Sequence, residues 1–504
     1  MNQQFGIGID FGTTNSVVCF YDDSIKTSRA FLDKGLPHSS VIWYRADGSK
    51  PQVGRESRRQ MRSYSGTEGH HFQASIKRQL GKDYEEFIFG RKVKCHEITS
   101  EIFRFLKEDA LTQRPDLEFT HAVVTIPVYF DGKARRDLRK SADNAGIFIR
   151  SFIHEPFAAI VGYLSRSKSL ERIDTLSDKT ILVFDWGGGT LDITVAKVLG
   201  SQIIELAICG VNDRSGDFFD EEIMKFALSR SYDRNGISSD TIRIVAGDKG
   251  RILTECERTK IALSELSYDK IQIGRAYSQS ERRYDVDEII NRSELNNIVA
   301  NEVDDAIIQV ESTLSRAGVS PHAIDQVLLI GGTSRMPYVR DRLREMFSHR
   351  ITEIKNADTI IAEGAAVIDA LGFQPFFARS LCVELADDSL YPVFEEGSLA
   401  VPDLCKKTLS FYCTDNRNGE AKLILKDRSN EYRSSKPALK NILTIPVSPE
   451  LPRPYKHEKV SVDFWLDSDL IVNVKGKAAT QRVGNSHEIY DLCYGLRLFN
   501  SDME

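Results

Sequence analysis

One short pattern occurs twice in this chain. Phe5 to Phe20 reads FGIGIDFGTTNSVVCF and Ile181 to Val195 reads ILVFDWGGGTLDITV. Each is an apolar strand, an aspartate, a turn of glycine and threonine, and a second apolar strand. Apolar runs parted by glycine form β-hairpins, because glycine accepts turn conformations that clash with a Cβ. A hairpin repeated in this way predicts an internal duplication, with two similar lobes each presenting its hairpin to a shared cleft.

Between the hairpins, His121 to Tyr129 (HAVVTIPVY) reads as a buried strand, followed by a helix from Lys133 to about Ala145 that Gly146 closes. After the second hairpin come mainly helical segments, among them Arg251 to Leu266. A strand at Gln326 to Ile330 then leads into Gly331-Gly332-Thr333-Ser334-Arg335, and Ile360 to Leu371 forms a helix of small residues. Past Gly372 the runs become short and alternating: Thr408 to Cys413, Ala421 to Leu425, Val460 to Trp465. Turn residues at Asp415-Asn416, Asn418-Gly419 and Pro452-Arg453-Pro454 separate them, which is the pattern of an antiparallel sandwich. The expected boundary is Gly372 to Pro375, dividing the chain into 1–373 and 374–504.

A chain of 504 residues exceeds what one core usually serves, so two or three domains are expected. Its 41% hydrophobic and 28% charged residues suit a folded globular protein, and a net charge of −6 weighs against a nucleic-acid partner. The basic run Lys133 to Lys140 (KARRDLRK) reads as a solvated helix face. No apolar stretch reaches 18 residues, so no membrane helix or membrane partner is expected. The opening Met-Asn-Gln-Gln lacks the basic start and apolar run of an export signal. The eight cysteines contain no C-x-x-C pair; they read as small core hydrophobes in a reducing, cytoplasmic setting.

Binding a triphosphate in a cleft takes backbone N–H groups that approach the phosphates and carboxylates that hold a hydrated Mg²⁺. Asp10 with Gly12-Thr13-Thr14 can supply both on one side of the cleft, and Asp185 with Gly187-Gly188-Gly189-Thr190 on the other. Because no Gly-x-x-x-x-Gly-Lys-Ser/Thr occurs, the chain is not a P-loop protein.

Taken together, IGIDFGTTNS, VVTIPVYF, HEPFAA, VFDWGGGTLDITV and LLIGGTSRMP resemble, in order over about residues 5–372, the nucleotide-binding domain of the heat-shock protein 70 (DnaK-type) family. The resemblance implies an α/β fold: an actin-like two-lobed ATPase domain (a duplicated ribonuclease-H-like fold) followed by a small antiparallel β-sandwich. It implies ATP or ADP with Mg²⁺ in the cleft, and K⁺ as a further cation. By position, Gly12, Thr13, Thr14 and Asn15 resemble the first phosphate loop, and Gly187, Gly188, Gly189 and Thr190 the second. Asp10, Glu155 and Asp185, with Asp192 close by, resemble the carboxylates that hold the metal mostly through water. Lys77 (SIKRQLG) resembles the family's lysine near the γ-phosphate, with Thr190 and Asp185 beside it in hydrolysis. Its role would be to orient the attacking water and offset developing charge. Pro127 and Arg135 resemble an interlobe switch. Glu257, Lys260 and Ser264, spaced to share one helix face, resemble the adenosine side. Gly216, Gly331, Gly332, Arg335, Asp358 and Gly364 complete the cleft. Ile261 stands where the family usually has an arginine flat against adenine, which predicts weaker affinity or a looser base preference.

The C-terminal part resembles the family's substrate sandwich in the order and turn positions of its strands, though Ser468-Asp469 replaces a usual Asn-Gly turn. The junction QPFFARSLCVELADD lacks the family's leucine run, and the helical lid is expected to be missing. The reading is therefore an ATP-hydrolysing, chaperone-like protein that binds extended polypeptide, with J-domain and exchange-factor partners implied by the family. The alternative is a nucleotide-dependent scaffold that docks one dedicated protein.

Overall fold

The computed structural model describes residues 5–167, 178–212, 214–352, 354–414, 417–428, 437–448 and 458–498. The first hairpin is β1 (Phe5–Phe11) and β2 (Asn15–Asp22), with β3 (Thr27–Phe31) and the short β4 (His38–Ser39) against β2. On its other side β1 runs parallel to β5 (His121–Ile126), and β5 runs parallel to β6 (Phe148–His154). Lobe II repeats the plan. β7 (Thr180–Trp186) and β8 (Thr190–Leu199) form the hairpin, and β9 (Gln202–Asn212) follows antiparallel. On the far side β10 (Gln326–Ile330) and β11 (Ile351–Thr352) lie parallel. The two orders, β6-β5-β1-β2-β3 and β11-β10-β7-β8-β9, match strand for strand, as the repeated hairpin predicts.

Helices cover the sheets: α1 (Arg55–Tyr64), α2 (Cys95–Gln113), α3 (Gly132–Asn144) and α4 (Glu155–Arg166) in lobe I, then α5 (Gly216–Asn235), α6 (Ala246–Ala262), α7 (Arg292–Ala317) and α8 (Pro337–Phe347) in lobe II. The last helix, α9 (Ala357–Leu371), crosses back onto β1 and α4. Its run of Ala and Ile lets it sit very close. A Cβ on Gly6 or Gly8 of β1 would collide with the carbonyls of Ala366 and Ala362, so only glycine fits beneath it. Asp369 anchors the contact by accepting from the Ile7 N–H (2.9 Å) and from Arg150 (2.7 Å). Among the described residues no helix is long and apolar enough to cross a membrane.

Helix α6 ends at Ala262, short of the expected Leu266, so Ser264 lies in the following turn and not on the face carrying Glu257 and Lys260. Arg292 explains the stop. Its guanidinium takes the carbonyls of Leu263 (2.9 Å) and Leu266 (2.8 Å), satisfying acceptors that a continuing helix would have used.

Past Gly372 follow β12 (Gln374–Phe377), β13 (Ser380–Glu384), β14 (Leu390–Phe394), β15 (Lys406–Tyr412), β16 (Glu420–Arg428), β17 (Ala438–Pro446), β18 (Lys459–Leu466), β19 (Val472–Ala478) and β20 (Asn485–Ile489). All but β12 form two sheets, β14-β13-β16-β17 and β15-β18-β19-β20. β18 alternates buried and open positions along its length, as a sandwich strand must. The expected turn at Asn418-Gly419 separates β15 from β16, with Gly419 at φ +71; those at 415–416 and 452–454 lie outside the described residues.

The strand after the sandwich, β21 (Tyr494–Arg497), does not stay there. It enters the lobe II sheet between β9 and β12, so that sheet reads β11-β10-β7-β8-β9-β21-β12. The segment 374–504 thus gives its first and last described strands to the sheet of the preceding domain. One buried apolar cluster runs from lobe I into the sandwich, while a second lies in the helical layer of lobe II.

Candidate functional site

The turns of the two hairpins meet across the cleft. A Cβ on Gly189 would come within 2.7 Å of Thr13 Oγ1, and one on Gly188 would strike Thr14 Oγ1. The first loop is braced by the Gly12 N–H, which donates to Ser16 Oγ (3.2 Å), and by Ser40 Oγ, which donates to Gly12 O (2.9 Å); Asn15 opens β2 directly after it. In the second loop the carbonyls are taken. Gly187 O accepts from the Gly216 N–H (3.2 Å) and from Thr333 Oγ1 (2.8 Å), and Gly188 O from the Asp217 N–H (2.8 Å). Arg78 reaches both Gly188 O and Gly189 O at 3.2 Å. With its oxygens engaged, the loop has the Gly188 and Gly189 N–H groups to offer an anion.

Below the loops lie the carboxylates. Asp10 lies one residue before the end of β1, Asp185 and Asp192 are paired across the second hairpin, and Glu155 opens α4. Lys77, on a short 3₁₀ turn at Ile76–Gln79, is buried with its Nζ 2.8 Å from Glu155 Oε1. Burial, then the charge of Glu155, pushes Asp10 up to about 7, against the pull of Lys77 and of the Thr125 hydroxyl. Burial and Glu155 likewise push Asp192 to about 7, and Asp185 goes well above the carboxylate range. Burial pulls the Lys77 ammonium down, but Glu155 and Asp10 outweigh it and raise it above the usual lysine range. Thr190 opens β8 beside this group, and a cavity of about 250 Å³ is lined by Lys77, Arg78, Tyr129, Phe130, Gly189 and Thr190.

These residues suit a hydrated cation. Four acids share one lysine, and the buried Asp192 Oδ1 has no hydrogen-bond partner among the described residues. No three His, Cys, Asp or Glu among the described residues are grouped as direct ligands of one ion, and Mg²⁺ commonly keeps several of its waters.

On the other wall Lys260 Nζ donates to Gly216 O (2.6 Å) and forms an ion pair with Asp220 Oδ1 (2.8 Å). Glu257 pairs with Arg58 of lobe I, closing the cleft from above. Gly331, at φ +78, lies against Trp186 O, and a Cβ there would approach Asp185 Oδ1 to 2.6 Å. Gly332 has open space beside it. Arg335 pairs with Asp358 (2.8 Å), and Ile261 is 62% exposed. Gly364 lies where α9 crosses α4, and a Cβ there would strike Ala158 O; its place is in helix packing.

The two residues read as a switch are linked. Pro127 O accepts from the Phe130 N–H (3.2 Å), and Phe130 O accepts from Arg135 Nε (2.9 Å). The rest of Arg135, wholly buried, points at the sandwich: Nη1 donates to Asp469 O and Leu470 O (both 3.0 Å), and Nη2 to Tyr490 O (3.1 Å). Arg139 holds Asp469 (2.7 Å) and Ser468 O (2.7 Å), and Arg136 pairs with Glu488. The basic run of α3 is therefore not a solvated face. Three of its arginines hold the Ser468-Asp469 turn and the neighbouring strand end, because carbonyls at a turn have no ladder partner and accept readily.

A family model for the Hsp70 protein matches residues 85–491, four fifths of the chain. This chain belongs to the Hsp70 family. Members are ATPases that bind ATP or ADP with Mg²⁺ and act as chaperones on unfolded polypeptide with co-chaperone partners. The lobed α/β domain and the sandwich are those of the family. The match begins after Lys77, so Asp10, the first loop and Lys77 join the Hsp70 stretch by geometry, through the Lys77–Glu155 pair and the loop-to-loop contact. Arg78 and Arg58 carry no motif that marks them in the sequence. For Arg78 the signal was adjacency to Lys77; Arg58, within a helix of scattered charge, gave none.

Proposed function

We propose that this Hsp70-family chain binds ATP with Mg²⁺ between its lobes and hydrolyses it, with Lys77 at the reacting phosphate. The observation that carries the reading is the buried Lys77–Glu155 pair beside the second glycine loop and the carboxylates. A lysine kept charged among acids can orient a water and offset charge that develops on a phosphoryl group. The N–H groups of Thr13 and Thr14 and of Gly188 and Gly189 would bind the phosphates. Asp10, Asp185 and Asp192 would hold the ion's water shell. When bound, Mg²⁺ neutralises phosphate charge and fixes the phosphate geometry. Lys260 and Glu257 would meet the ribose, and Gly331, Gly332 and Arg335 the base.

The sandwich is the binding module of this reading, and extended polypeptide its ligand. A second reading, a scaffold for one dedicated partner, is favoured by the junction strand β12. Both its edges are hydrogen-bonded, to β21 and to the 398–400 segment, and Phe376 and Phe377 are buried. Hydrolysis measured with and without extended apolar peptides separates the two: stimulation supports the chaperone reading, indifference the scaffold. Lys77→Ala should keep ATP binding while single-turnover hydrolysis falls about 10²- to 10³-fold. Unchanged turnover would remove Lys77 from its role.

A further inference from the structure

We propose that β21 staples the sandwich to the ATPase lobes, so that the sandwich stays docked through the nucleotide cycle and is not released by it. The inference goes beyond the proposed hydrolysis and does not depend on its rate.

The argument begins with connectivity. The sandwich is joined to the lobe II sheet at both ends. On entry only Ala378 and Arg379 separate β12 from β13, and on exit Tyr490–Cys493 separate β20 from β21. Four residues span at most about 14 Å when fully extended. While β21 stays on β9, the sandwich therefore cannot move away as a rigid body.

The seam that holds β21 is well made. Gln202, Ile203 and Ile204 of β9 pair with Arg497, Leu496 and Gly495, and the Leu498 N–H extends the ladder to Ser201 O (2.8 Å). On the other edge β21 pairs with all four residues of β12. Tyr494, Leu496 and Phe376 are each at most 1% exposed, so peeling the strand away would bring them into water. The close approach is specific. A Cβ on Gly495 would strike the Phe376 ring, and the Arg497 guanidinium lies over the same ring at 5.6 Å and donates to Gly397 O (2.8 Å).

One residue joins every part at this point. The Tyr494 hydroxyl donates to Leu470 O (3.0 Å), the sandwich carbonyl that Arg135 of lobe I also holds. Its ring meets His154, whose Nδ1 lies 3.0 Å from Glu205 Oε1 on β9. Lobe I, lobe II, the junction strand and the sandwich thus all close on β21. A strand completed within a sheet opens far less readily than a loop, because its amides are released only when the sheet itself opens.

Hydrogen exchange on the full chain, metal-free and then with Mg²⁺–ADP and Mg²⁺–ATP, tests this. Peptides covering 200–206, 374–377 and 493–498 should exchange at least about 100-fold more slowly than unstructured chain in all three conditions. Exchange that quickens tenfold or more in any one of them would overturn the staple. Peptides covering 8–18 and 184–192 report nucleotide binding separately: if they gain no protection, the proposed function fails while the staple still stands. Gly495→Val should loosen the seam and enlarge the radius seen by small-angle scattering, and adding Phe376→Ala should restore both, because it clears the space that the valine needs. Rescue cannot arise from general misfolding, and its absence in a folded double variant would overturn the assigned contact.

Discussion

Replacing Arg135 with methionine keeps most of the buried aliphatic volume and deletes the guanidinium. Three of the four bonds lost cross from lobe I to the sandwich, at 3.0, 3.0 and 3.1 Å. Hydrogen bonds from a charged donor contribute about 1.5 kcal/mol each at the low end, or about 4–5 kcal/mol for three. Two effects reduce this. Burial, the main cause of the lowered pKa of Arg135, is a desolvation cost that the variant no longer bears, and Leu470 O keeps the Tyr494 hydroxyl. A net loss of about 3 kcal/mol corresponds to roughly a hundredfold larger opening constant at this contact. Because β21 holds the sandwich independently, the variant should remain docked. Hydrogen exchange in 463–474 should quicken about a hundredfold, while β10 at 326–330 stays as slow as in the parent. Unchanged exchange at 463–474 would show that the bonds carry no docking energy. Equal quickening in β10 would show that the loss is global, and either result refutes the argument.

Binding of Mg²⁺ should tighten as pH rises from 6 to 8. Burial and Glu155 raise Asp10 and Asp192 to about 7, so at pH 6 the ion must displace protons that are gone by pH 8. Calorimetry in two buffers of different ionisation enthalpy should show proton release at pH 6.5, and no release would refute it. The same shifts lower the stability of the metal-free protein as pH rises from about 4 to about 7, since the folded state holds protons that the unfolded chain has lost. Gly188→Val should abolish nucleotide binding by separating the Thr14 and Gly188 loops, with a melting temperature within a few degrees of the parent's. Retained binding, followed by a fluorescent ATP analogue, would contradict the loop assignment.

The parts of this molecule that a sequence displays are those whose structure is local. The two Asp–Gly hairpins, the strand Gln326–Ile330 and the alternating strands β15, β16 and β18 fall where periodicity and turn residues place them, because a strand's buried face and a hairpin's turn are written within ten residues. The cleft glycines were legible for the same reason. What stayed hidden depends on partners far away in the chain. Tyr494–Arg497 is four residues long, contains a glycine and shows no alternation, so nothing in it announces a strand. Arg135 sits in a basic run that looks solvated until the 468–470 turn is folded against it. The spacing of Ser264 fits a helix face, whereas Arg292, 28 residues onward, ends the helix before it.

The pairing of Gln202 with Arg497 joins residues roughly 300 positions apart, a contact of very high sequence separation. During synthesis lobe II is therefore made long before its sheet can be finished. Until Tyr494–Arg497 emerges, the edge of β9 at Gln202–Ile204 stands open beside the buried-type residues Ile203 and Ile204, the kind of unpaired apolar edge that recruits other strands. The chain's own last described strand thus acts as the edge protector of a domain completed much earlier, and for that interval a protein of the chaperone family carries the exposed surface that chaperones bind.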